Sequence, residues 1–267
     1  MTRYFWYTDL HLDKVFPWTL IRFIFHIIRG SPKGVFLTGD ISTGILTIYH
    51  LKLLAILIKC PIYFILGNHD YHLTSIDKQH DRIRNLCKEH SNLIWLTESD
   101  VISLNNEVGL IGVEGWYSAE LGNPKYLKAT MDWFMTDEFR KLPTMDQRID
   151  LFKDLANKSC IQLEDKLLKA LSKGYKKIYI LTHFPPWKEA TNNVGKLFEK
   201  YFLPYNVNLG LGKMIERVMK NYESINAIIL AGHIHEDCLI NISNNIECKV
   251  NKAKHYDLFR DEEVILI

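Results

Sequence analysis

Seven residues able to bind a metal, Asp9, His11, Asp40, Asn68, His183, His233 and His235, each follow an apolar, strand-like run. The runs are 3–8, 35–38, 62–66, 178–181 and 228–231. The segments that close them read Asp9-Leu10-His11, Gly39-Asp40, Gly67-Asn68-His69-Asp70, Thr182-His183 and Gly232-His233-Ile234-His235. In open α/β sheets, sites form beyond the carboxyl ends of strands, where loops bring distant residues together over a rigid support. Glycine directly precedes the key residue in three of the five segments, which allows a tight turn and close backbone approach. Imidazole nitrogen and carboxylate oxygen suit borderline transition metals, and a donor set without thiolates argues against a closed structural zinc site. Seven donors exceed the needs of one tetrahedral ion. Two adjacent ions bridged by one carboxylate would use them all and leave positions for water and substrate. The cofactor expected is a pair of divalent or trivalent metals, Mn first, with Fe, Zn, Ni or Mg as alternatives.

The elements that must position these residues alternate in the first third of the chain. Helix-like patterns at 17–29 and 46–59 separate the first three strand-like runs, a βαβαβ order that implies a parallel sheet, and a further helix at 76–90 follows the third run. Pro17 sits near the first turn of the first helix and Gly30 at its stop. Short strands at 93–95, 101–104 and 108–113, with Asn105-Asn106 as a hairpin turn, lead to the expectation that the sheet changes to antiparallel pairing there. A long helix over 147–172 capped by Gly174, a strand at 177–182, a helix at 212–222 and a strand at 227–231 follow. A terminal antiparallel set is expected at 238–242, 246–250 and 264–267. Residues 114–145 read as an insertion, where Gly115, Gly122, Asn123-Pro124 and Pro143 punctuate the aromatics Trp116, Tyr117, Tyr126, Trp133 and Phe134. Because the candidate donors run from Asp9 to His235, division of the chain would cut the site apart. One domain over 1–267 is therefore expected.

Bulk properties exclude several classes. The 267 residues are 47% hydrophobic, ample for a sizeable core. A net charge of +2 is too small to imply nucleic-acid binding by itself. Lys166, Lys169, Lys173, Lys176 and Lys177 read as a solvated helix face. Five cysteines, odd in number and without a Cys-x-x-Cys pair, argue against a disulfide framework and fit a reducing cytoplasm. The first strand begins at once, so no secretory leader is expected, and the apolar stretch 45–66 is too interrupted to span a bilayer. A cytoplasmic protein with no membrane partner is the expectation.

The ordered blocks D-x-H, G-D, G-N-H-D, H and G-H-x-H, spread from Asp9 to His235, resemble the calcineurin-like metallophosphoesterase family. That resemblance implies an α/β fold, a two-sheet β-sandwich flanked by helices in α/β/β/α layers, with a dinuclear centre that hydrolyses phosphate esters. It implies Asp9, His11, Asp40 and His235 around one metal and Asp40, Asn68, His183 and His233 around the other, with Asp40 as the bridge. Two metals about 4 Å apart can clamp a phosphate while a bridging water attacks phosphorus in line with the leaving oxygen. The resemblance puts His69, not needed as a ligand, beside the leaving group as a proton donor. Asp70 is expected to orient or charge-pair a histidine.

Departures from the family narrow the substrate. Protein serine/threonine phosphatases of the superfamily continue their second block as G-D-x-V-D-R-G, whereas Gly39-Asp40 here runs into Ile41-Ser42-Thr43-Gly44. Those phosphatases also usually carry Glu where this chain has Asp70, and lipid A precursor hydrolases carry Arg where it has His69. Small-molecule phosphomonoesters and nucleotide or cyclic-nucleotide diesters remain as expected substrates. A nuclease of the same superfamily is the alternative, and a non-catalytic scaffold is the reading from a different class. His72 is close enough in sequence to approach the substrate. Trp116, Tyr117 and Trp187 are candidates to overhang the site or to pack in the core, and Tyr71 marks another loop at its rim. His26 and His50 read as packed or surface residues, and His80, His90 and His255 have no supporting context.

Overall fold

The computed structural model describes residues 2–121, 130–194, 203–253 and 263–267. Gly122, Asn123, Pro124, Tyr126 and His255 lie outside the described residues. Four parallel strands, β1 (Arg3–Tyr7), β2 (Gly34–Thr38), β3 (Ile62–Ile65) and β4 (Leu93–Trp95), form one sheet, with β11 (Glu263–Leu266) antiparallel on the outer side of β1. The second sheet has the order β5 (Ile102–Ser103), β6 (Val108–Gly112), β7 (Lys177–Leu181), β8 (Asn226–Ala231), β10 (Ile246–Val250) and β9 (Cys238–Ser243). Within it β6, β7, β8 and β10 are parallel, while β5 and β9 are antiparallel edges.

Two pairing expectations are corrected. The hairpin expected at Asn105-Asn106 forms, with β5 and β6 antiparallel, but it lies in the second sheet, while β4 stays parallel to β3 in the first. Of the expected terminal antiparallel set, β9 and β10 do pair antiparallel, but β10 also runs parallel to β8, and β11 leaves the set to lie antiparallel on β1 in the first sheet. Local alternation marks a strand but not its partner, and both partners here are distant in sequence.

Helices α1 (Pro17–Gly30), α2 (Ile45–Leu57) and α3 (Ile76–Glu89) connect the parallel strands of the first sheet. Two short helices, α4 (Asp132–Met135) and α5 (Asp137–Lys141), precede the long α6 (Met145–Ser172), and α7 (Leu209–Met219) follows β7. Thr144 caps α6 by a reciprocal bond with Gln147, and Gly174, at φ 78°, turns the chain out of it.

Alternation along β1 explains the layers. Tyr4 and Trp6 face the inter-sheet core with Phe36, Ile65, Leu110, Tyr179 and Leu230, while Phe5 and Tyr7 face the helices with Phe23 and Ile27. A separate core beneath α6 and α7 covers the second sheet. The architecture is the two-sheet sandwich flanked by helices. Lys166, read as solvated, is instead buried, its ammonium donating to the carbonyls of Leu96, Thr97 and Gly112.

Candidate metal centre

All five donor-bearing segments follow the carboxyl ends of parallel strands: β1, β2 and β3 in one sheet and β7 and β8 in the other. Backbone bonds from Asp9 N to Gly39 O (3.1 Å) and from His11 N to Asp40 O (3.0 Å) tie the first two loops together. Gly232 N donates to His183 O at 3.0 Å and joins the two loops of the second sheet. The sheets meet where His233 N donates to Asp9 Oδ2 at 2.9 Å and His183 Nδ1 donates to Thr38 O at 2.8 Å. Gly67 and Gly232 permit this approach: a Cβ at Gly67 would lie 2.2 Å from Asp40 Oδ1, and one at Gly232 2.5 Å from Asp9 Oδ2.

Asp9, His11, Asp40, Asn68 and His183 are buried, while His233 and His235 are half-buried. Three groups of donor atoms converge within 4.8 Å: Asp9 with His11 and His235, His11 with Asp40 and His69, and Asp40 with His183 and His233. Asp40 links two of them, its Oδ2 lying 3.7 Å from His11 Nε2 and its Oδ1 3.5 Å from His183 Nε2. Asn68 joins the third group, its Oδ1 lying 3.2 Å from His183 Nε2. Thus the seven candidate donors are brought together, and His69 stands beside them as an eighth.

Their electrostatics fit cations. Burial would raise the Asp9 carboxyl, but the charge of His235 overrides it and holds the group well below the usual carboxylate range. Burial likewise opposes ionisation of Asp40, and the charges of His183 and His69 outweigh it. Burial pushes His11 and His233 down to about 3, so both imidazoles are neutral and keep a nitrogen lone pair for a metal. Burial acts against His183 too, yet Asp40 beside it raises that imidazole to about 9. The two buried carboxylates, Asp9 and Asp40, are balanced by protonated imidazoles at His235 and His183, charges that bound cations would replace as those rings give up their protons.

Asp132 was not legible as part of the site. From the start of α4 its Oδ1 accepts from Asn68 Nδ2 at 2.9 Å and pairs with His72 Nε2 at 2.8 Å. Its Oδ2 accepts from Tyr117 and Thr130, both at 3.0 Å. The bond to Nδ2 turns the Asn68 carbonyl oxygen toward His183. His72, whose proximity the sequence suggested, lies with its ring tilted 4.4 Å from that of His69 and links it to Asp132.

Asp70 meets a different fate from the one expected. Its carboxylate accepts from Gly67 N (2.8 Å), Ile41 N (3.3 Å), Ser42 N (3.1 Å) and Thr47 Oγ1 (2.8 Å). These four donors consume its oxygens in joining the β2 and β3 loops, so it orients backbone instead of a histidine. The aromatic candidates also lie inside. Trp116 packs among Tyr71, Phe139, Phe152 and Phe184, and Trp187 donates to Glu216 at 2.6 Å beneath α7. Tyr71 is buried with its hydroxyl 2.9 Å from His80, and Tyr117 is buried against Phe152. None of the four is exposed at the rim.

A family model for calcineurin-like phosphoesterases matches residues 3–237. The chain belongs to that family. The phosphoesterase is therefore a phosphoric ester hydrolase of a dinuclear metal class. Its fold is similar to that of a phosphopantetheinyl hydrolase from Mycobacterium tuberculosis, at TM-score 0.66 and 15% identity over 98% of this chain and 95% of the other. It also resembles a dimetal phosphatase from Danio rerio (TM-score 0.57, 11% identity, 94% and 87% covered). A third likeness is TT1561 of Thermus thermophilus (TM-score 0.54, 14% identity, 99% and 98% covered). No curated protein sequence matches the phosphoesterase. Among its described residues no helix is long and apolar enough to cross a membrane.

Proposed function

We infer that the chain hydrolyses small phosphate esters, nucleotides among them, at two metal ions bridged by Asp40. The observation that carries this reading is the position of Asp40, which borders both His11 and His183 through different carboxylate oxygens. Asp9, His11, Asp40 and His235 would hold one ion, and Asp40, Asn68, His183 and His233 the other, with Mn the first choice for this donor set. When bound, the ions would polarise the phosphoryl group and acidify an attacking water.

The protein's own groups do the rest. His183 donates from Nδ1 to Thr38 O, which fixes the ring so that Nε2 faces Asp40 and Asn68. Asp132 is a positioning residue for Asn68 through the amide bond described above. Like His235, His69 sits at the exposed rim of the site, with 29% of its side chain open to solvent. Its Nε2 lies 3.9 Å from Asp40 Oδ2, so a proton held there is in reach of a leaving oxygen bound at the rim. On this reading His69→Ala keeps its metal content and loses on the order of 10²–10⁴-fold in turnover. Loss of a metal together with the histidine would make His69 a ligand.

A substrate panel tests the reading. Metal-loaded protein is assayed with aryl phosphomonoesters and diesters, nucleotides, cyclic nucleotides, a phosphopantetheinyl ester and single-stranded DNA. Hydrolysis of the small esters is expected. Preferential cleavage of DNA would favour a nuclease, and no hydrolysis of any compound with both ions bound would leave a non-catalytic scaffold.

A further inference from the structure

The outer surface of α1 and α2 is apolar where a solvated helix face should be polar. In α1, Trp18, Ile21, Phe25 and Ile28 recur at helical spacing on the exposed side, and Phe16 stacks on Trp18 with ring centroids 4.5 Å apart. Phe25 is 67% exposed and Trp18 60%. Helix α2 adds exposed Ile45, Leu46, Tyr49, Ile56 and Leu57. The carboxyl ends of the two helices are neighbours, since Ile28 and Leu57 line one cleft. Scattered single apolar residues need no explanation, but a run over two adjacent helices does.

Charge decides what covers this face. Between Lys14 and Asn68 the chain carries six basic residues, Lys14, Arg22, Arg29, Lys33, Lys52 and Lys59, all exposed. The one carboxylate in that stretch is Asp40, buried in the candidate metal centre. Lys52 pairs with Glu89 of α3. A second copy of the chain on the same face would set these cations against their own image. An anionic surface with an apolar interior meets both features, because aromatic and aliphatic side chains enter the acyl boundary while Lys and Arg reach the headgroups.

We propose that the exposed face of α1 and α2 docks peripherally on an anionic lipid bilayer. This departs from the expectation of no membrane partner, because the outward direction of these side chains is set by the fold and not by local apolar content. Docking is independent of the metal centre, so its failure and failure of the phosphoesterase reading are distinguishable.

The test is co-sedimentation of the full chain with vesicles of phosphatidylcholine alone and of equimolar phosphatidylcholine and phosphatidylglycerol, at low and high salt. Salt-sensitive binding to the anionic vesicles alone is expected. Replacing Arg29 and Lys33 together by Gln weakens that binding on the order of thirty-fold. Trp18→Ser combined with Phe25→Ser abolishes it, while the far-ultraviolet circular dichroism and thermal unfolding of the double variant match the wild type and so report intact folding. Absence of binding to either vesicle, or equal binding to both, overturns the proposal. A dimer in sedimentation velocity that the Trp18/Phe25 double variant dissociates would also overturn it, in favour of a second copy.

Discussion

Asp9, His11, Asp40, His233 and His235 all take left-handed backbone conformations, with φ between 40° and 69°. For residues other than glycine such a conformation costs roughly 1–2 kcal/mol each, and five at one place signal a function that outweighs the strain. The strain aims side chains from sharp turns toward one point. Asp132 acts on the same point from a distance by holding the amide of Asn68. Asp132→Ala frees that amide and leaves His72 without its carboxylate; metal affinity should fall by about ten- to a hundred-fold, at one of two ions. Titration of the apo-protein with Mn checks this, and two undiminished sites would reject the role. The motif residues were legible because each follows an apolar run in a fixed order. Asp132 was not: it lies in an irregular stretch, joined to Asn68 and His72 only by folding.

At the scale of elements, Lys166 illustrates how a helix fastens the sandwich. From α6 its ammonium reaches carbonyls at Leu96 and Thr97, just beyond β4, and at Gly112, the end of β6. One side chain thereby ties the two sheets together. Lys166→Met removes three hydrogen bonds to buried carbonyls, of which Leu96 O keeps Ser99 N and Thr97 O keeps Gln162 Nε2 as donors, and an expected loss of about 1–3 kcal/mol is measurable by urea denaturation. Burial pushes the Lys166 ammonium down from 10.5 to about 8. Between those values the unfolded chain binds the proton and the folded chain does not, so this group makes stability rise with pH across that window. The Met variant should lack that increment, and an identical pH dependence in both proteins would contradict it. In the sequence Lys166 looked like its solvated neighbours, since its spacing from Lys169 and Lys173 fits a charged helix surface. Helix and strand limits were largely legible, because apolar periodicity and caps such as Thr144 and Gly174 are local. Which strands pair was not, because β10 finds β8, and β11 finds β1, across long connections.

For the molecule as a whole, the aromatics that could have overhung the site or packed in the core take the second role and weld its parts. Trp116 touches Tyr71 beyond β3, Phe139 of α5, Phe152 of α6 and Phe184 beyond β7. Trp116→Ala should cost about 3–5 kcal/mol in thermal or chemical unfolding, with KM for small esters unchanged in the folded fraction. A raised KM without lost stability would restore the stacking role. A hydrolytic centre of two ions joined by Asp40 is tested by counting metal and turnover together in wild-type protein and Asp40→Asn. Two Mn ions per wild-type chain are expected, with activity abolished by chelation and restored by Mn, and Asp40→Asn losing metal affinity and turnover on the order of a hundred-fold or more. Undiminished hydrolysis after chelation, or an Asp40→Asn protein with both ions and full turnover, would contradict it.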